Sequence, residues 1–265
     1  MPIRQLVRGS VDRGTLERVA AEVGARHALP GARLEPLEAN NWLSTPAVVG
    51  DELFVKVITP QNALVHAMFT AGRNLGVFSS GMEGFFERFE TPVEMAEHEL
   101  AATRRMFDEG LNVPEPVEAF EFEGLGVLVL EFLPDMEPLD AQPRETVAAL
   151  APALFETLSR MHAAGIVHGD LRSENVLLSG GELFVIDATK VTEGAIDEAR
   201  AYDVACALAD LESLVDARTA VAASRDTVNA ETLLAAENFL DFVNIRPDHD
   251  FDAVALKAEI EKAVA

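Results

Sequence analysis

Four side chains in this sequence have the types and spacings that phosphate and cation chemistry needs. Three lie in one segment, Ile166-Val167-His168-Gly169-Asp170-Leu171-Arg172-Ser173-Glu174-Asn175-Val176-Leu177-Leu178, which runs on through Ser179-Gly180-Gly181-Glu182-Leu183-Phe184-Val185-Ile186 to Asp187. Ser-Gly-Gly-Glu is turn chemistry between two apolar runs, so residues 176–178 and 183–186 are expected to pair as a hairpin. Pairing sets Asn175 beside Asp187 at the open end, and Asp170, one loop upstream, can point into the same space. Two carboxylates and an amide, with no thiolate or close histidine pair, suit a hard cation such as magnesium or manganese that shares its ligands with phosphate oxygens. A lone Asp at a strand end is usually a cap or turn residue; the convergence of three argues for a site. His168 is expected to pack and hold the loop backbone, and His162 to be structural. The scattered histidines make zinc a poor fit.

The fourth side chain is Lys56, in the apolar run Leu53-Phe54-Val55-Lys56-Val57. A lysine on a strand edge ordinarily snorkels to water. Here it is the only lysine in the first 189 residues, the others being Lys190, Lys257 and Lys262. In a chain that otherwise uses arginine, an ammonium inside a strand is a candidate phosphate ligand.

The composition sets limits. The chain has 265 residues, with 45 Asp and Glu against 21 Lys and Arg, and a net charge of −24. That length can bury a full core. The field of the acidic surface repels nucleic acid and anionic lipid, so neither direct DNA binding nor membrane association is expected. Carboxylates spread along the chain with few lysines suit a protein working at molar salt, where screening over about 3 Å removes self-repulsion; this reads as halophilic adaptation. No apolar run reaches the roughly 20 residues of a membrane span, the N-terminus lacks a signal-like apolar region, and the one cysteine, Cys206, lies in an apolar run. A cytoplasmic location and a packed thiol are expected.

The elements that must position these side chains follow from pattern. Residues 11–27 have helical spacing, with Leu16, Val19, Ala20 and Val23 on one stripe. Residues 35–58 read as two short strands around a turn at Gly50-Asp51. Residues 59–91 read as irregular, with Asn74–Gly81 as a loop. Thr91-Pro92-Val93-Glu94 is an N-cap, a first-turn proline and a capping-box glutamate; the helix it opens should run to Gly110. Its buried stripe is expected at Ala96, Leu100 and Phe107, with Glu97 and Glu99 flanking it about equally. Residues 117–132 read as a hairpin across Glu123-Gly124. A long helix from 145 to 164 and helices near 195–215, 229–243 and 252–264 follow. The expectation is an α+β fold with a small β-rich N-lobe (about 1–132), a hinge (about 131–135) and a helical C-lobe (about 136–265), as a single domain.

His-Gly-Asp-Leu-x-x-x-Asn with Ile-Asp downstream resembles the catalytic and metal-binding loops of protein-kinase-like enzymes. Glu38-Ala39-Asn40 before Lys56, His98-Glu99-Leu100, Gly110-Leu111-Asn112-Val113-Pro114-Glu115-Pro116, and Ala188-Thr189 after Asp187 together resemble the RIO-type atypical kinases over roughly residues 35–215. The resemblance implies a bilobal protein-kinase-like fold using ATP and magnesium (or manganese). It implies that Lys56 holds the phosphates and pairs with Glu99, and that Asp170 accepts or orients the acceptor hydroxyl proton while Asn175 and Asp187 bind the metal. Asn40 and Ser44 would lie in the phosphate loop. Leu130, Glu131 and Leu133 would form the hinge facing adenine, and Asp203 with His168 would brace the catalytic loop. One triphosphate would then be served by the ammonium from the first lobe and the acids and amide from the second.

Three departures stand out. Glu38–Thr45 contains no glycine to wrap phosphates, although the side chains of Asn41, Ser44 and Thr45 can partly compensate. Arg172 stands where serine is usual. The stretch between Asp187 and the helix of Asp203 is short and carries no Ala-Pro-Glu, leaving little room to grip a peptide. The implied function is an ATP-dependent serine/threonine kinase or ATPase acting on itself, on a protein or on water. A small-molecule phosphotransferase of the aminoglycoside or choline type, and an ATP-binding pseudokinase scaffold, are the alternatives. The phosphate acceptor is left open, and the family association would be with the maturing small ribosomal subunit.

Overall fold

The computed structural model describes residues 11–37, 44–79, 86, 88–188, 196–245 and 250–265. The chain divides into two compact units. The first comprises Met1–Ala71, Arg88–Phe107 and Pro114–Pro134; the second comprises Gly72–Glu87, Asp108–Val113 and Asp135–Ala265.

The first unit is built on a five-stranded antiparallel sheet. Its strands are β1 (Leu34–Pro36), β2 (Thr45–Val49), β3 (Leu53–Ile58), β4 (Pro116–Phe122) and β5 (Leu125–Glu131), in the order β1-β2-β3-β5-β4. The period of two divides each strand between two cores. Val55, Val57, Val127 and Val129 face helix α1 (Arg13–Arg26), where Leu16, Val19 and Val23 bury the expected stripe. Ile58, Leu128 and Leu130 face the other way, against Ala63, Phe89, Met95 and Ala96. Lys56 pairs in register with Leu128, so its stem leaves the sheet on this second face.

Two capped helices follow β3. Helix α2 (Pro60–Ser79) occupies most of the stretch read from sequence as irregular. The signal was present at its start. The Asn62 N–H donates to Thr59 Oγ1 (3.1 Å), and the Thr59 N–H donates to Asn62 Oδ1 (2.9 Å). This is a reciprocal cap in which asparagine takes the place usually held by glutamate. Residues 74–79 of the expected loop are helical, and the rest of it, 80 and 81, lies outside the described residues. Helix α3 (Pro92–Asp108) opens as expected, with the Glu94 N–H on Thr91 Oγ1 (3.1 Å) and the Glu90 N–H on Glu94 Oε2 (2.8 Å). Its buried stripe differs from expectation. Phe107 is exposed, and the buried positions are Met95, Ala96, Thr103 and Met106. That phase carries Glu99, four residues after Met95 and four before Thr103, toward the sheet and leaves Glu97 in solvent.

The second unit is mostly helical: α4 (Arg144–Ala163), α5 (Ile196–Leu214), α6 (Ala217–Ser224), α7 (Ala230–Ile245) and α8 (Ala253–Val264). The short α6 was not foreseen. A three-stranded sheet, β6 (Glu137–Pro138), β7 (Val176–Ser179) and β8 (Glu182–Val185), contains the expected hairpin, with Val176 opposite Val185. Helix α5 is buried through its middle, from Ala201 to Leu211, including Tyr202, Asp203 and Cys206. The packed thiol is as expected. No helix among the described residues is long and apolar enough to cross a membrane.

Two predictions follow from this packing. A Cβ on Gly126 would lie 2.1 Å from the Pro92 carbonyl oxygen and 2.9 Å from the Val93 nitrogen, both backbone atoms. Gly126→Ala must therefore push α3 off β5 and should cost at least about 1–3 kcal/mol, read by urea unfolding. Asp216 caps α6 through the Thr219 N–H (2.8 Å), which with the Thr219 side chain and Arg144 holds its carboxyl below the ordinary aspartate value. A carboxyl lowered in the folded state stabilises above its unfolded pKa, about 3.9, and that contribution is lost as pH falls through the folded value. The melting temperature of Asp216→Ala should thus approach that of the parent in acid and fall below it near neutrality.

Candidate functional site

The first unit holds Ser44, Lys56, Glu99, Leu130, Glu131 and Leu133. Lys56 is 5% exposed, and its Nζ donates to Glu99 Oε1 at 2.7 Å. The helix phase described above settles the choice between Glu97 and Glu99 for Glu99. Burying an ammonium is costly unless it is paired, and removing one partner of a buried pair costs about 3–5 kcal/mol. The pair thus holds a cation at a fixed point on the α3 face of the sheet. Ser44, just before β2, is 2% exposed, and its Oγ has no hydrogen-bond partner among the described residues. Asn40, together with Glu38, Ala39 and Asn41, lies outside the described residues.

The expected hinge is partly committed to the unit's own backbone. The Glu131 N–H donates to the Glu115 carbonyl (2.9 Å) and the Phe132 N–H to the Glu52 carbonyl (2.9 Å). Leu130 is buried in the sheet core. A strand extending through Glu131 uses these amides for its own pairing.

In the second unit, Asp203 organises the loop that follows α4. It is fully buried. Its Oδ2 accepts the His168 N–H and its Oδ1 the Gly169 N–H, both at 2.7 Å, and Nε2 of His162 approaches Oδ2 at 3.1 Å. A buried carboxylate is tolerable when charge-assisted hydrogen bonds surround it. Gly169 has φ +72°, a conformation that glycine adopts without a Cβ penalty, and it turns the chain so that both amides reach one carboxylate.

His168, also fully buried, passes this constraint on. Its Nε2 lies 2.8 Å from the Ile186 carbonyl, and the Asp170 N–H points at its Nδ1 at 3.3 Å. These partners require the tautomer with hydrogen on Nε2. The imidazole therefore ties the Asp170 loop to the segment entering Asp187, with its proton committed to a backbone carbonyl. Asn175 is held by its Nδ2–H, which donates to the Asp170 carbonyl (2.9 Å), and its own carbonyl accepts the Ile186 N–H (3.0 Å). The side-chain amide is thereby oriented, which directs Oδ1, the atom a cation needs, away from the Asp170 backbone. Asp187 sits at φ +64°, a sparsely populated conformation for a residue with a Cβ.

The Asp170 carboxylate is flanked by guanidinium groups. Arg73 Nη1 lies 3.1 Å from Oδ1, and Arg172 Nη2 lies 3.6 Å from Oδ2. Arg172 also pairs with Glu174. Arg73 escaped the sequence reading because the segment carrying it was read as irregular. Among the described residues, no group of three or more His, Cys, Asp or Glu is placed to hold a metal ion. A cation bound by Asn175 and Asp187 would keep most of its sites for water and phosphate oxygens, as magnesium does.

The fold is protein-kinase-like, combining an antiparallel sheet unit with a helical unit. It resembles the crystal structure of aminoglycoside-3'-phosphotransferase of type VIII, with a TM-score of 0.51 and 19% identity over 85% of this chain and 98% of that one. Within that fold, residues 86–206 match the RIO domain family, so the RIO-type kinase likeness expected from the motifs is borne out. The KEOPS complex subunit Bud32 of Pyrococcus abyssi is 31% identical over 93 residues, 34% of this chain and 41% of that protein. A probable bifunctional tRNA threonylcarbamoyladenosine biosynthesis protein of Methanosarcina barkeri is 35% identical over 78 residues, 29% of this chain and 14% of that protein. The matched stretch thus spans less than half the length of either relative.

Asp203→Ala would strand two buried backbone N–H groups. Each unsatisfied donor costs about 1–3 kcal/mol, so this variant should lose more stability in urea than an Ala substitution at the exposed Asp197.

Proposed function

We propose that the chain is an ATP- and magnesium-dependent phosphotransferase or ATPase of the RIO type, its 265 residues working as one kinase-like domain. Lys56, fixed by its pairing with Glu99, would hold the phosphates, with Ser44 and Asn40 in the phosphate loop. Asp170 would accept or orient the acceptor's proton, and Asn175 and Asp187 would hold the metal. One observation supports this most: the Asn175 amide is anchored to the Asp170 backbone while His168 ties the same loop to the approach to Asp187. Phosphoryl transfer is mostly positioning and charge compensation, and a loop fixed at this many points answers that need.

The acceptor we favour is a hydroxyl of the protein itself, or water, rather than a range of peptides. Between Asp187 and Ile196, where α5 begins, only residues 188–195 are available to present a peptide. The partner class we propose is a multi-subunit complex, as the name of the Bud32 relative states for that protein, with tRNA threonylcarbamoyladenosine biosynthesis, named for the Methanosarcina barkeri relative, as its setting rather than the ribosomal one suggested by family resemblance alone. With a net charge of −24, contact within such an assembly would be with protein components.

Magnesium-ATP at molar potassium chloride should raise the melting temperature, since a ligand at a hundredfold excess over its dissociation constant adds about 2.7 kcal/mol. Asp187→Ala should lose most of that shift, and Asp170→Ala should keep it while losing turnover. An unchanged shift in Asp187→Ala would remove that residue from the metal site. Labelled ATP then separates the readings through its product: phosphorylated protein, free phosphate, a phosphorylated small molecule, or nothing for a pseudokinase.

A further inference from the structure

Arg73, in the part of α2 that belongs to the second unit, has no part in the reading above, yet it reaches the Asp170 carboxylate of the same unit. Arg73, near the end of α2, donates from Nη1 to both the Gly169 carbonyl (3.2 Å) and Asp170 Oδ1 (3.1 Å). One nitrogen thus spans the backbone before Asp170 and the Asp170 side chain, which fixes the rotamer of the carboxylate relative to its own loop.

The guanidinium is itself held in place. It lies over the ring of Phe86, 4.7 Å from the centroid, a cation–π arrangement that strengthens as water is excluded. Phe86 is buried and cannot shift freely. Its N–H donates to Asn74 Oδ1 (2.9 Å), its carbonyl accepts from Asn74 Nδ2 (2.8 Å), and its ring meets the edge of Tyr202 at 5.3 Å. Tyr202 is fully buried in α5, one residue before Asp203. Asp170 is therefore steadied from two directions that converge on α5: through its backbone by Asp203, and through its side chain by Arg73 on the Phe86 platform.

We propose that Arg73 is a positioning residue for Asp170, so that Arg73 and the Phe86 ring beneath it belong to the phosphotransfer machinery; this rests on the phosphotransferase reading. A carboxylate offers about four lone-pair positions; Arg73 takes one on Oδ1 while Arg172 flanks Oδ2, so the group is oriented from both of its oxygens. An arginine 11% exposed and stacked on a buried ring is built to stay rather than to swing away as a lid would. Arginine suits the place because its planar face can lie on Phe86 while one edge donates, which an ammonium cannot do.

The test is steady-state turnover of magnesium-ATP by the full chain at molar potassium chloride. Arg73→Ala should lower kcat roughly ten- to a hundredfold, the scale of a small misplacement of a reacting group. The KM for ATP and the melting shift with magnesium-ATP should stay within about twofold of the parent, because the ground state is untouched. Arg73→Lys, which keeps charge and donors, should recover part of the loss. Millimolar guanidinium should restore turnover to Arg73→Ala and not to Asp170→Ala. If Arg73→Ala does not fold, Arg73→Gln, which keeps a donor and loses the charge, carries the same test. An unchanged kcat overturns the proposal, and a raised one makes Arg73 an inhibitory contact instead. A loss confined to the KM for ATP also overturns it, by making Arg73 a nucleotide contact. Absence of both turnover and an ATP-dependent melting shift in the parent overturns the phosphotransferase reading itself, and this inference with it.

Discussion

The second unit depends on one buried carboxylate. Asp203 is completely enclosed, and its two oxygens collect the amides of His168 and Gly169 and the ring of His162. A charge in that place is tolerable only while its donors remain, so α5, the end of α4 and the loop after it must hold their relative places for the unit to be stable. Stability and the geometry of the loop are therefore one requirement. Any change that loosens α5 should be felt at Asp170 and Asn175, through the amides that precede them.

The first unit answers a similar demand with a different device. Lys56 is carried by a strand whose alternate residues fill two separate cores, so the side chain cannot turn without a register slip that would expose every valine of β3. Glu99 reaches it because α3 is clamped at its start by a cap and by the close approach of Pro92 to Gly126. Both units thus place a charged group by making the alternative arrangements of the backbone costly.

Most of this was legible in the sequence where the signal was local. The turn at Glu123-Gly124, the cap at Thr91, the stop at Gly165 and the hairpin at Ser179–Glu182 each rest on a few adjacent residues with a fixed preference. The failures also have local reasons. Helix α2 was missed because Gly72, Gly76 and closely spaced aromatics resemble loop composition, and because its capping partner is Asn62 rather than a glutamate. Phe107 was placed inside because it is large and apolar, whereas Met106 beside it took the buried position.

The sequence alone determined which residue types stand at the motif positions and which short elements bear them, because motif spacing and turn preference act over a few residues. Tertiary structure alone decided that Glu99 rather than Glu97 meets Lys56, since that choice depends on the phase of α3 against a sheet assembled from distant strands. It alone brought Arg73 to Asp170, ninety-seven positions away, and committed the Glu131 and Phe132 amides to backbone carbonyls. Contacts of that separation are set by how whole elements pack, and no window of adjacent residues encodes them.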